Sequence, residues 1–365
     1  MTDFTPTTEG CRYCLMCRHV CPVARVTHSE ATSPHGWALT IAAVRRGQLA
    51  WNAETVDLLY QCADCGLCQA FCVTDQPLPD AIVAARAEVA AAGHALPAVA
   101  AVDAALQRWG NVYAEPVDGA EPAEPSAIAL FVGATAWHRE RAALLAARTL
   151  LERAGVEHGL VGVGRSSGYL AYTLGLHATA RALAEATIGE IRHAGCGTLV
   201  TLSPQQAHTL RSVYPRLGLP LPDGVEVVEL TVLLARLLDE GRLKLHPAPL
   251  DLAYHDPCQA PRLDGRWRAP RRLLAAATTL PLREGFWRQR RAANCGASGG
   301  LPWTQPRLAA ELAHATLTDL AGSGAPLIVT DAPGCLAHLR AHAARHGLMV
   351  RGMYELLAER SAESS

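Results

Sequence analysis

Eight of the twelve cysteines in this chain fall into two copies of one pattern, C-x-x-C-x-x-C-x-x-x-C. The first copy is Cys11, Cys14, Cys17 and Cys21; the second is Cys62, Cys65, Cys68 and Cys72. Thiolate is the soft ligand that iron and zinc sites select. Two-residue gaps let a tight loop wrap three thiolates around one metal centre, whereas a fourth from the same loop is strained and comes from elsewhere. A structural zinc site uses two C-x-x-C pairs separated by a longer loop, not four cysteines in a run. A disulfide scaffold requires export, and Met1 to Gly10 lacks the basic start and apolar stretch of a signal peptide. The pattern therefore points to two iron–sulfur clusters and to electron transfer.

The spacing is that of the bacterial two-cluster ferredoxins, in which the fourth cysteine of each run reaches across to the other [4Fe-4S] cluster. That resemblance assigns Cys11, Cys14, Cys17 and Cys72 to one cluster and Cys62, Cys65, Cys68 and Cys21 to the other. Pro22 follows Cys21 as in that pattern, while Val73 stands after Cys72 where proline is usual. The segment between the runs reads as helical. Ser33-Pro34 is an N-cap with proline at the first helical position, followed by Trp37, Leu39, Ile41 and Val44 and stopped by Gly47. Glu54 to Gln61 offers a second helix, and Pro79-Asp80 opens a longer one through Ala92, ended by Gly93. This layout resembles the α-helical ferredoxin domain of iron–sulfur subunits in respiratory dehydrogenases. The Ser33-Pro34-His35-Gly36 turn resembles the S-P-R-G turn of glycolate oxidase iron–sulfur subunits, with His35 in place of arginine.

A length of 365 residues suggests two or three domains, and with 50% hydrophobic and 18% charged residues a sizeable core is available. The formal net charge of −1 and the sparse aromatic residues argue against nucleic acid as a partner. Lys244 is the only lysine; the arginine bias and the alanine-rich stretch Ala81–Ala92 read as coding bias. No apolar run approaches the roughly 18 residues needed to span a bilayer, so any membrane contact is expected through a partner. Cysteines without an export signal imply a reducing, cytoplasmic setting.

Beyond a short helix at Val99–Trp109, the stretch Glu115–Ser126 is a Pro- and Glu-rich linker. Strand and helix patterns then alternate. Strands are expected at Ala127–Val132, Leu160–Val163 and Thr198–Leu202, with helices at Arg139–Arg153, Ala178–His193 and Gln205–Val213. The series restarts with Asp251–Tyr254, Arg271–Ala277, Leu327–Thr330, Leu336–His346 and Met349–Val350. Such alternation predicts an α/β fold with largely parallel strands. Thr198–Gln206 overlies Leu327–Cys335, with Pro204 on Pro333 and Leu210 on Leu339, and Gly162–Gly168 overlies Ala293–Gly296 at nearly the same offset. A near-constant offset across separate segments indicates a duplication.

His255-Asp-Pro-Cys258, Asn294-Cys-Gly-Ala-Ser-Gly-Gly300 and Ala332-Pro-Gly-Cys335 resemble the cysteine-rich CCG repeat. That repeat is found in heterodisulfide reductases and in the iron–sulfur subunits of glycolate oxidase and glycerol-3-phosphate dehydrogenase. Of the five cysteines of that repeat, the second copy keeps Cys258, Cys295 and Cys335, with Asn294 and Ala332 in place of the others. The first copy keeps none: Ala134, Ser166, Ser167, Ser203 and Gln206 occupy the positions, and Cys196 lies off the pattern. The expected organisation is a multi-domain chain. An α-helical ferredoxin domain over 1–95 is followed by a helix and linker over 96–126. An α/β domain of two duplicated repeats then covers 127–245 and 246–365.

Cys258, Cys295 and Cys335 each follow a predicted strand and converge at one edge of the sheet, where open α/β sheets place their sites. With His255 they could hold zinc or an additional iron–sulfur cluster, or be buried cysteines of a decayed site. Gly162-x-Gly164-x-x-x-Gly168 departs from the dinucleotide fingerprint, and the Gly296–Gly300 loop lacks the P-loop lysine. His255 and Cys258 are too close in sequence to orient each other as base and nucleophile. His208 and His338 are expected on helix surfaces. The resemblance implies an electron-transfer subunit of an oxidoreductase that is not itself the catalyst. FAD would sit on a partner dehydrogenase or oxidase subunit, and a quinone or redox protein would be the acceptor. The alternative is a heterodisulfide-reductase-like catalytic subunit with a third metal site.

Overall fold

Prolines and small polar caps fix where the N-terminal helices begin. The computed structural model describes residues 5–119, 125–259 and 266–361. Ser33 caps the helix Pro34–Arg45: its hydroxyl accepts from the Gly36 amide at 3.2 Å, and Pro34 occupies the first turn. Gly36 has no substitute there, because a Cβ would lie 2.2 Å from the Glu30 carbonyl oxygen. Asn52 and Thr55 form a reciprocal capping box at the start of Ala53–Tyr60. The helices Leu78–Ala91 and Pro97–Trp109 follow the second cysteine run. The expected helices are therefore present, with ends displaced by one or two residues.

The α/β half contains two four-stranded sheets, both fully parallel. The first comprises β1 (Ile128–Gly133), β2 (Gly159–Val163), β3 (Thr198–Thr201) and β4 (Glu226–Glu229) in the order β2-β1-β3-β4. The second comprises β5 (Leu252–Tyr254), β6 (Arg283–Glu284), β7 (Leu327–Thr330) and β8 (Met349–Gly352) in the order β6-β5-β7-β8. The two orders are the same once the strands are counted from the start of each sheet. Four elements that the sequence pattern does not mark help complete the layers. They are β4 with its helix Leu230–Asp239, the two-residue strand β6, and the helix Pro306–Ala321. β4 carries glutamate at both ends and runs into its helix with no intervening turn residue, so no punctuation marks it in the sequence. The helix Pro204–His208 continues through a π-helical turn, Thr209–Val213.

Two cores decide how these parts sit together. Leu130, Val200 and Leu234 of the first sheet and its helices share one apolar cluster with Tyr254, Val329 and Leu357 of the second. The hydroxyl of Tyr354 adds a bond across it, donating to the Leu202 carbonyl at 3.1 Å. The ferredoxin-type helices have no core to themselves. Trp37, Leu59, Ile82, Val89 and Leu106 pack with Tyr169 and Leu174 from the first repeat and with Leu301 and Leu312 from the second. The described ends of the linker are docked as well: Glu115 pairs with Arg139 at 2.7 Å, and the Ser126 amide donates to the Ala194 carbonyl. Residues 120–124 of that linker lie outside the described residues. Among the described residues no helix is long and apolar enough to cross a membrane.

Candidate metal centres

The two cysteine loops share one backbone device. In the first, Tyr13 (φ 51°) and Leu15 (φ 61°) flank Cys14 in the left-handed region. In the second, Asp64 (φ 49°) and Gly66 (φ 72°) flank Cys65 in the same way. Alternating left-handed residues turn successive side chains inward, a conformation in which non-glycine residues are uncommon. As a result Cys11, Cys14, Cys17 and Cys72 wall one cavity. Cys21 joins Cys62 and Cys65 around a second. Cys68 touches both. Thus the fourth cysteine of each run lies with the three of the other.

Four of these thiols, Cys17, Cys21, Cys62 and Cys68, are costly to ionise as they stand. Burial first, then the neighbouring Cys11, Cys72 and Cys14, push the Cys17 thiol up to about 11. Burial pushes Cys62 up to about 12, and it raises Cys21 and Cys68 as well, with added repulsion from their neighbours. Buried thiols crowded together are helped to ionise by a cationic centre, which is what a metal site supplies. The donor set, its geometry and its burial fit a [4Fe-4S] cluster in each cavity.

The two settings differ. Cys14 is exposed, and around it Tyr13, Leu15 and Met16 are 44–45% exposed. Cys21 and Cys62 are buried, and the loop that carries Cys62 is gripped by both halves of the molecule. The Ser298 hydroxyl donates to the Ala63 carbonyl at 2.7 Å, and Gly299 packs so closely that a Cβ would fall 2.7 Å from the Cys62 oxygen. Tyr169 donates to the Asp64 carboxylate at 2.6 Å, Thr173 does so at 2.9 Å, and Gln259 donates to the Tyr169 oxygen at 2.6 Å. The Arg86 guanidinium, fully buried, donates to the carbonyls of Leu59, Cys62, Thr173 and Gly299.

A third donor set lies at the carboxyl edge of the second sheet. The ligand atoms of His255, Cys295 and Cys335 all lie within 4.8 Å of one another, and all three residues are buried. His255 follows β5, Cys295 lies in the loop after β6, and Cys335 is in the first turn of the helix Pro333–His342 after β7. Cys258, expected in this set, lies beside it and accepts a hydrogen bond at its sulfur from the Asn294 amide at 3.3 Å. His255 takes a ligand position, and its Nε2 is buried with no hydrogen-bond partner. The Cys295 thiol is held low by a hydrogen bond from Cys335 and by His255, while that same bond and burial hold Cys335 high. An orphaned imidazole nitrogen beside a thiol ready to ionise fits a zinc or iron site.

The counterpart edge of the first sheet carries no thiol. Ser166, Ser167, Ser203 and Gln206 instead line a cavity of about 340 Å³ shared with Ser298 and Gly334 of the second repeat. His208 and His338 are not on helix surfaces: both are half-buried, and His338 Nε2 sits 3.1 Å from the Ala309 carbonyl. Sequence reasoning also passed over Arg86, the single charge on the buried face formed by Ile82, Val83 and Val89. A lone arginine in an apolar stripe was the available signal.

Comparison with known proteins agrees with this placement. Residues 7–75 match the 4Fe-4S dicluster domain and residues 252–340 match the cysteine-rich domain, CCG. The chain is 28% identical over 216 residues to the probable iron–sulfur-binding oxidoreductase FadF of Bacillus subtilis, a match covering 58% of this chain and 30% of that relative. It is 26% identical over 371 residues to one of the subunits of the CoM/CoB fumarate reductase of Methanothermobacter marburgensis, covering 97% of this chain and 72% of that one. Against the first of these the chain spans less than a third of the relative's length. A crystal structure of a hypothetical protein from Helicobacter pylori has the same fold, with a TM-score of 0.60 at 10% identity over 91% of this chain and 68% of that one. The chain thus carries a 4Fe-4S dicluster domain and a cysteine-rich domain, and it is similar to iron–sulfur subunits of oxidoreductases.

Proposed function

We propose that this chain is the electron-transfer subunit of a flavin-linked dehydrogenase or oxidase complex. Cys11, Cys14, Cys17 and Cys72 hold an outer [4Fe-4S] cluster, and Cys62, Cys65, Cys68 and Cys21 hold an inner one. Such a cluster takes up and gives out one electron at a time. The observation that carries the reading is the unequal setting of two adjoining thiol sets. The outer loop presents Tyr13, Leu15 and Met16 to solvent around Cys14, a surface suited to a partner protein. The inner loop is sealed by Arg86, Tyr169, Ser298 and Gly299 against the α/β half. An FAD-bearing partner delivers electrons at the exposed side, and a quinone or another redox protein receives them.

The ferredoxin unit covers 1–95, joined through 96–126 to two duplicated repeats over 127–245 and 246–365. The chain works in the cytoplasm and reaches a membrane through a partner. A second reading is favoured by the three donors at His255, Cys295 and Cys335: a further iron–sulfur cluster there would suit a heterodisulfide-reductase-like catalytic subunit, whereas zinc there would staple a docking scaffold. Iron and sulfide analysis with EPR of the anaerobically purified protein tests the first reading. About eight irons per chain are expected. Cys14→Ala and Cys65→Ala should each lower that content and remove a different part of the spectrum. Unchanged iron in both variants would overturn the reading.

A further inference from the structure

We infer that Arg86 sets the reduction potential of the inner cluster, acting through its buried charge rather than as a ligand. The inference rests on the ligation proposed above. Arg86 is fully buried in the helix Leu78–Ala91. Its contacts are carbonyl oxygens: Leu59 at 3.0 and 2.6 Å, Cys62 at 2.7 Å, Thr173 at 2.8 Å and Gly299 at 3.4 Å. Its guanidinium also lies 5.1 Å from the centre of the Tyr60 ring. Carbonyls and a ring solvate a cation but do not cancel its charge.

A buried arginine is ordinarily matched by a carboxylate. Among the described residues none lies within ion-pair distance of Arg86. The Asp64 carboxylate takes its hydrogen bonds from the hydroxyls of Tyr169 and Thr173 rather than from Arg86. The charge bears on Cys62, whose carbonyl the guanidinium bonds at 2.7 Å. Four thiolates around an iron–sulfur core carry net negative charge, and reduction adds one unit more. A fixed cation in a dry setting therefore favours the reduced form and raises the potential. Arg86 also ties the Cys62 loop to both repeats, through Thr173 and Gly299, so its charge is held at one place. Arg12 and Arg18, near the outer set, are exposed to solvent, where screening weakens any such effect.

EPR-monitored redox titration of the purified chain tests this, with Cys65→Ala identifying the inner-cluster signals. Arg86→Gln should lower the inner potential enough to change the reduced-to-oxidised ratio at least tenfold, about 59 mV for a one-electron couple. The outer potential should not move, and Arg86→Lys, which keeps the charge, should stay near wild type. If Arg86→Gln loads both clusters with both potentials unchanged, or shifted equally, the inference is wrong. Should Arg86→Gln lose the inner cluster, retention at native potential in Arg86→Lys would still support a role for the charge. Loss in Arg86→Lys as well, or loading with the inner potential lowered as in Arg86→Gln, would make Arg86 a scaffold residue only. A wild-type chain without two clusters would overturn the ligation itself, which is a separate outcome.

Discussion

Laid over each other through β3 and β7, the first repeat places Ser203 and Gln206 where the second has Ala332 and Cys335. Likewise Ser166 and Ser167 stand where the second has Asn294 and Cys295. Both groups lie at the carboxyl edge of a parallel sheet, near the point where the strand order reverses, the usual location of sites in such folds. What differs is how the edge is tied together. In the second repeat His255, Cys295 and Cys335 converge from the loops after three strands. In the first, one side chain spans the strands: Gln206 donates to the Val132 carbonyl near the end of β1 and accepts from the Leu202 amide just after β3. The same backbone thus serves as a ligand cradle or as a hydrogen-bonded seam, depending on the residue one turn into the following helix. In the first repeat an amide joins the strand ends where the second repeat has thiols.

The largest expected effect separates the repeats by metal content. Elemental analysis of the anaerobic protein should find metal beyond the two clusters, and Cys295→Ser should remove all of it. Ser167→Ala, at the matching position of the first repeat, should leave it unchanged. Equal metal in wild type and Cys295→Ser would break the distinction and leave two structural edges rather than one seam and one site.

How much of this was legible beforehand follows from how locally each feature is encoded. The cap at Ser33-Pro34 and the apolar runs of β3 and β7 are written in a few adjacent residues, and they fold where the sequence places them. The pairing of β1 with β3 and of β5 with β7 follows from the duplicated pattern. The side-chain choices at the second edge were not legible. Spacing placed Cys258 beside Cys295 and Cys335 but gave no sign that His255 would come within 4.8 Å of those two or that Asn294 would donate to Cys258. Arg86 was hidden by its surroundings: in an alanine-rich helix it reads as composition. Its partners at Thr173 and Gly299 come from distant loops that only the tertiary fold brings together. Burial of His208 and His338 had the same origin, since it depends on what packs over their helices.

A smaller effect tests the seam itself. Gln206→Ala should leave the Leu202 amide and the Val132 carbonyl without partners at a half-buried edge. Each orphaned group costs roughly 1–3 kcal/mol when desolvated, and water entering from the adjoining cavity offsets part of that. A loss of about 2 kcal/mol is expected, read as a lower midpoint in denaturant with cluster content unchanged. Gln206→Glu keeps the acceptor for Leu202 but cannot donate to Val132, so it should fall between. If Gln206→Ala were as stable as wild type, the amide would not be what holds the strand ends of the first repeat together.

The smallest effect concerns pH and again divides the repeats. Leu202 in the first corresponds to Asp331 in the second, buried at 3% exposure and accepting from the Tyr254 hydroxyl at 2.9 Å. Burial, reinforced by Glu229 and Asp256, pushes its carboxyl up from 3.8 to about 7. The folded chain therefore holds a proton there that the unfolded chain has released, and stability falls as pH rises from the unfolded value through about 7. Across pH 5.5 to 8 this amounts to about 2 kcal/mol lost from the second repeat, with no counterpart in the first. Asp331→Asn should flatten that part of the profile and make the protein relatively more stable at pH 8. A thermal unfolding series at pH 5.5, 7 and 8 measures it. The series is run in the Cys295→Ser background, which removes any cation at the neighbouring Cys335 that would ionise the carboxylate; an unchanged slope there would mean that Asp331 is ionised in the folded protein despite its burial.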